Sequence, residues 1–135
     1  MSENPEVDMA LSKLTNKDQG DLLDLIGAYA LSQEPESLKQ SLALDRPLDS
    51  KQLRKTAEKF LKKIEPIVKN ALCGSDGILS YIEQPTVKDI IAVILPALGF
   101  QVGGMVPTAV IAVCIIIFRA GVREYCKTGY ATATV

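Results

Sequence analysis

IIAVILPALGFQVGGMVPTAVIAVCIIIF, residues 90–118, runs for 29 positions without a charged side chain in a 135-residue protein that is otherwise 23% charged. A bilayer-spanning helix needs about 20 apolar residues, so the stretch is long enough to cross. It is also interrupted: Pro96, Gly99, Gln101, Gly103, Gly104 and Pro107 collect near its middle. Proline removes a backbone donor and glycine weakens a helix, so two shorter apolar helices meeting at a bend are expected in place of one rod. Thr86, with Asp89 three residues on, has the spacing of a capping box, which starts the first of these helices at Val87 and lets it reach about Phe100. Pro107 then suits a first turn, and residues 108–118 resume the helix, with Arg119, Arg123 and Lys127 in its last turns, where cations suit the helix dipole.

Three arrangements satisfy this pattern. One continuous helix would be about 43 Å long and would exceed a hydrocarbon core of about 30 Å. A hairpin with arms of about 16 to 21 Å would embed in one leaflet or re-enter. Basic residues lie on both flanks (Lys69 and Lys88 before the run, Arg119, Arg123 and Lys127 after it), which favours a hairpin with both ends cytoplasmic. Alternatively, the two arms form the core of a helical bundle, where a helix can be apolar all round.

Upstream, apolar residues recur at helical spacing. Asn4–Pro5 opens a segment bearing Val7, Met9, Leu11 and Leu14. Thr15 with Asp18 opens a second, which carries Leu22, Ile26, Tyr29 and Ala30 and ends near Leu31. A short third helix is expected over Leu38, Leu42 and Leu44, stopping before Pro47, with a turn over residues 45–49. Asp49 or Ser50 caps the most amphipathic segment, in which Leu53, Ala57, Phe60, Leu61, Ile64, Val68 and Leu72 share one face and Gly74 closes the end. Pro66 inside it predicts a bend or a split. A short helical turn follows over residues 78–82, with a break at Gln84–Pro85. The expected fold is all-α: a small helical bundle with a C-terminal apolar helical hairpin or kinked helix. It divides into an amphipathic region 1–84, an apolar segment 85–127 and a tail 128–135.

Charge is unevenly placed. Residues 1–49 hold ten acidic and four basic side chains, whereas residues 50–72 hold seven basic and two acidic. Lys51, Arg54, Lys55, Lys59, Lys62 and Lys63 line the polar side of the amphipathic helix, a pattern that suits an anionic headgroup surface or the acidic N-terminal segment. Interleaved aromatics or arginines for reading bases are missing, so nucleic acid is not an expected partner.

With no histidine and no phosphate-binding glycine loop, the chain offers no general base and no nucleotide cradle. Cys73, Cys114 and Cys126 are too few and too dispersed for a zinc site, and they read as free thiols in a reducing compartment. No catalytic residue, cofactor, metal or small-molecule substrate is expected.

Helical pore-forming proteins, which hide an apolar hairpin until it inserts, are similar in arrangement to this pattern of an apolar hairpin beside amphipathic helices. The expectation is therefore a non-catalytic, membrane-associated protein with a cytoplasmic N-terminal region, acting in anchoring, assembly or membrane permeabilisation. Its partners would be membrane lipid, copies of itself or another protein. Ile90, Ile91, Ile94, Leu95, Leu98, Phe100, Ile111, Ile115 and Phe118 would supply the membrane or interface surface, and Gly99, Gly103, Gly104 and Pro107 the hinge. The alternative is a soluble cytoplasmic interaction or oligomerisation module with the hairpin buried in its core or interface.

Overall fold

A computed structural model describes residues 5–32, 50–74, 77–100 and 108–128. Among them the chain is helical throughout, with no strand: α1 (Pro5–Leu14), α2 (Gln19–Ser32), α3 (Ser50–Cys73), a single 3-10 turn (Ile78–Ser80), α4 (Val87–Ala97), α5 (Thr108–Ala120) and α6 (Val122–Thr128). The expected third helix and the turn at 45–49 lie outside the described residues.

Capping chemistry sets most of the boundaries. At α4 the box forms as the spacing requires, with the Asp89 amide donating to Thr86 Oγ1 at 3.2 Å and the Thr86 amide donating to Asp89 Oδ2 at 2.8 Å. The cap of α2 differs from expectation. Asp18, not Thr15, accepts from the Asp21 amide at 2.8 Å, and the Thr15 hydroxyl donates back to the Leu11 carbonyl at the end of α1. Thr15 is thus spent on closing one helix and is not available to open the next.

Helix α3 passes through Pro66 without splitting. Pro66 is exposed, so the Lys62 carbonyl that loses its helical partner lies on the outward side, where water can satisfy it. Among the described elements, its inward face packs against α2 more extensively than any other pair of helices meets. Contact is closest at Gly27, where a Cβ would sit 2.0 Å from the Leu53 carbonyl oxygen, so only glycine lets α2 lie this near the α3 backbone.

The 90–118 stretch is not one helix. After Ala97 the Gly99 amide donates to the Pro96 carbonyl at 3.0 Å and the Phe100 amide to the Leu95 carbonyl at 2.9 Å, a Schellman closure in which Gly99 takes φ +93°. Helix α4 therefore stops three residues short of Phe100. It has two sides. Ile90, Ile91, Ile94 and Leu95 are buried, whereas Ala92, Pro96 and Ala97 face outward.

Helix α5 has a different character. Nine successive residues, Ala109 to Ile117, are buried, so it is enclosed on every side, by α1, α2, α4 and α6. Among the described elements these four helices pack against α5, which is about 20 Å long. A second break follows at Gly121, φ +94°, so Arg123 and Lys127 belong to a separate helix α6 and not to the last turns of α5 as expected.

Two arginines and one disulfide tie these elements together. Arg119 Nη2 donates to the Thr15 and Lys17 carbonyls at 2.9 and 2.6 Å, holding the end of α5 to the turn after α1. Arg123 Nη2 donates to the Glu83 carbonyl at 3.0 Å. Cys73 and Cys126 are joined, their Cα atoms 5.8 Å apart, which corrects the expectation of three free thiols. Fifty-three positions separate them in sequence, a distance only the packing of α6 against α3 removes. A disulfide persists in oxidising surroundings, so it stands against the expected reducing compartment. Cys114 alone is free. Its thiol is buried in α5, and loss of hydration drives its pKa far above the usual 9.0.

Candidate functional site

The basic residues expected to share one side do so, and Lys51, Arg54, Lys55, Lys59, Lys62 and Lys63 are all exposed along α3. Arg54 is engaged, pairing with Asp24 of α2 at 3.2 Å. This is one point where acidic N-terminal and basic central segments dock, and a second ion pair, Lys88 of α4 with Asp8 of α1 at 3.3 Å, ties the N-terminal segment to the apolar arm. Both pairs are solvent-exposed, so each adds only about 0.2 to 1 kcal/mol. Lys59 and Lys63 make no ion pair among the described residues.

Those two lysines border a cleft of 480 Å³ between α2, α3, the end of α4 and the start of α5. Thr56, Lys59, Phe60, Lys63, Ile64 and Ile67 recur at steps of three and four, so one side of α3 forms a whole wall. Tyr29 and Ala30 form the opposite side, and Tyr29 meets the Phe60 ring edge-on with centroids 5.9 Å apart at 84°. Leu98 and Phe100, placed by the Schellman closure, with Ala97 complete one end. Among the described residues, the charged side chains that line the cleft are both cationic, Lys59 and Lys63. It is of the size that holds small molecules, roughly 300 to 1,000 Å³.

The residues expected to meet a membrane or an interface divide. Ile90, Ile91, Ile94, Leu95, Ile111 and Ile115 are core residues, Leu98 and Phe100 are half-buried at the cleft, and Phe118 alone is exposed, at 46%. Among the described residues no helix is long and apolar enough to cross a membrane. Of the expected hinge residues, Gly99 has the left-handed conformation such a role needs. Gly103, Gly104 and Pro107 lie outside the described residues.

Sequence reasoning missed the cleft, because Tyr29, Lys59 and Leu98 come from three helices and no spacing announces their meeting. It also missed the disulfide. The available signal was the position of Cys73 at a helix end and of Cys126 in a basic terminal turn, which by itself specifies no partner. Among the described residues no group of cysteine and carboxylate side chains could hold a metal ion. Tyr125 is buried against Glu65, and both burial and that negative charge raise its phenol pKa well above the usual 10.0. It has no access to a substrate and reads as a packing residue. No family model, curated protein or solved structure matches this chain.

Proposed function

We propose that the protein is a non-catalytic, all-α interaction module, in which α4 and α5 form a helical hairpin that serves as the core and the basic side of α3 with its adjoining cleft is the face offered to a partner. One observation carries this reading. Ala109 to Ile117 is already covered by protein on every side, so the most apolar part of the chain needs no bilayer or second subunit to leave water. Among the described residues, the cations of α3 and the cleft beside them stay accessible to a partner.

The test is fractionation of the full-length protein with an alkaline carbonate wash, followed by size-exclusion chromatography without detergent. The expected result is a wash-extractable protein that elutes as one discrete species. A full-length protein that resists the wash would overturn the module reading. Truncation after Gln84 is unsuitable as a control, since it deletes α4, α5 and α6 and with them most of the core.

A second reading keeps the membrane association expected from the sequence, with anchoring, assembly or permeabilisation following exposure of the hairpin. It is favoured by the exposed cations of α3 beside Ile67, which is itself 45% exposed, an amphipathic surface suited to anionic headgroups. Under this reading the Gly103→Leu/Gly104→Leu variant loses association with anionic vesicles. Flotation of that variant indistinguishable from the parent would remove the hinge role.

A further inference from the structure

We propose that the cleft between α2 and α3 binds a free single-chain fatty carboxylate, its chain lying between Phe60 and Leu98 and its carboxylate at Lys59 and Lys63. The inference rests on the interaction-module reading and names the ligand class of that face.

Shape comes first. The cleft runs between described residues of α2, α3, the end of α4 and the start of α5, and its 480 Å³ is of the size that holds one small ligand.

The walls supply the second argument. Tyr29 and Phe60 are only half-buried, and Ile67 is 45% exposed, so the cleft wall keeps apolar surface in contact with water. A chain laid against them would remove that apolar surface from water, which is favourable in proportion to the area covered.

Charge completes the selection. Lys59 and Lys63 stand one helical turn apart on α3, with no acidic residue among the described side chains lining the cleft. An apolar chain ending in an anion is complementary to that arrangement, and one ending in a cation is opposed by it. A headgroup larger than a carboxylate is not required, since two adjacent ammonium groups match its two oxygens.

The test is isothermal titration of the full-length protein with dodecanoate, with dodecyltrimethylammonium as the cationic counterpart of equal chain. The expected result is saturable binding at about one equivalent for dodecanoate and at least tenfold weaker binding for the cation. A Lys59→Gln/Lys63→Gln variant should lose about tenfold in dodecanoate affinity, the scale of two solvent-exposed charge contacts. An Ala97→Trp variant, altered at an exposed position, should block the cleft while its thermal unfolding stays unchanged. Non-saturable uptake, equal binding of the two amphiphiles, or binding indifferent to both variants would overturn the proposal, as would a dimer that excludes dodecanoate.

Failure of the proposal and failure of the underlying reading look different. A discrete, wash-extractable protein that ignores dodecanoate sinks the ligand and leaves the module. A wash-resistant protein that floats with phosphatidylglycerol vesicles sinks the module, whatever dodecanoate does.

Discussion

Removing the Cys73–Cys126 bond is the perturbation whose size the structure determines most directly. The bond closes a loop with a sequence separation of 53 that contains the 3-10 turn, α4, α5 and the start of α6. In the chain-entropy account, a loop of that length deprives the unfolded state of about 14 cal/mol/K, or about 4 kcal/mol at 25 °C. Unfolding entropy for a 135-residue domain is about 0.28 kcal/mol/K near its midpoint, so the loss corresponds to a fall in Tm of about 15 °C. The assay is thermal unfolding by circular dichroism of a Cys73→Ser/Cys126→Ser variant beside the oxidised parent, each with and without dithiothreitol. Reductant should lower the parent toward the variant and leave the variant unmoved, since Cys73 is exposed and the bond is open to exchange. Alkylation mass counting supplies the independent check. The denatured, unreduced parent should take up one label, at Cys114, and three after reduction. Three labels without reduction, or a Tm difference under about 3 °C, would refute the account.

Gly27→Ala should destabilise by roughly 1 to 3 kcal/mol, because the new methyl meets the Leu53 carbonyl and forces α2 from α3. Alanine ordinarily favours a helix over glycine by about 1 kcal/mol, so a stabilised variant in urea unfolding would show that the close approach is wrong. Ile94→Ala, at a fully buried position, should cost about 2 to 5 kcal/mol in the same assay, and a cost under about 1 would mean the α4 contact is loose. Arg119→Ala should cost about 1 kcal/mol through loss of its bonds to Thr15 and Lys17, the figure being held down by solvent exposure. Unchanged hydrogen exchange in the 15–17 turn would count against that tether. Tyr125 and Cys114 hold their protons more tightly folded than unfolded, so their contribution is fully present below about pH 9 and is lost as pH rises past the ordinary values of 9.0 and 10.0. Urea midpoints between pH 8 and 11 should fall; a flat profile would mean that these groups are hydrated.

Local signals carried the secondary structure well. The Thr86–Asp89 box, the face of α3 and the break at Gln84–Pro85 were legible because each depends on residues within four positions of one another, whereas the Gly99 closure came earlier than the expected end near Phe100. Thr15 was misassigned because two local hydrogen bonds compete for one hydroxyl, and only the neighbouring helix ends decide between them. Gly121 was overlooked inside a run of helix formers, where a single glycine is normally tolerated.

The same distinction divides the candidate site. The exposed cations from Lys51 to Lys63 follow from helical periodicity, but which of them is engaged does not: Arg54 meets Asp24 because α2 lies against α3, while Lys59 and Lys63 are left beside the cleft. The apolar run shows the difference most clearly. An unbroken series of apolar side chains looks the same to a bilayer and to a protein core, since both remove it from water.

From the sequence alone come an all-helical chain, an apolar segment interrupted by breakers near its middle, and a basic helix face. Helical repeat, capping geometry and glycine conformation are short-range and act within a turn or two. What covers Ala109 to Ile117, which cysteines meet, and where a cleft remains open were decided by tertiary structure. Those outcomes depend on which helix faces exclude water together, and residues as far apart as Cys73 and Cys126, or Tyr29 and Leu98, become neighbours only when the bundle closes.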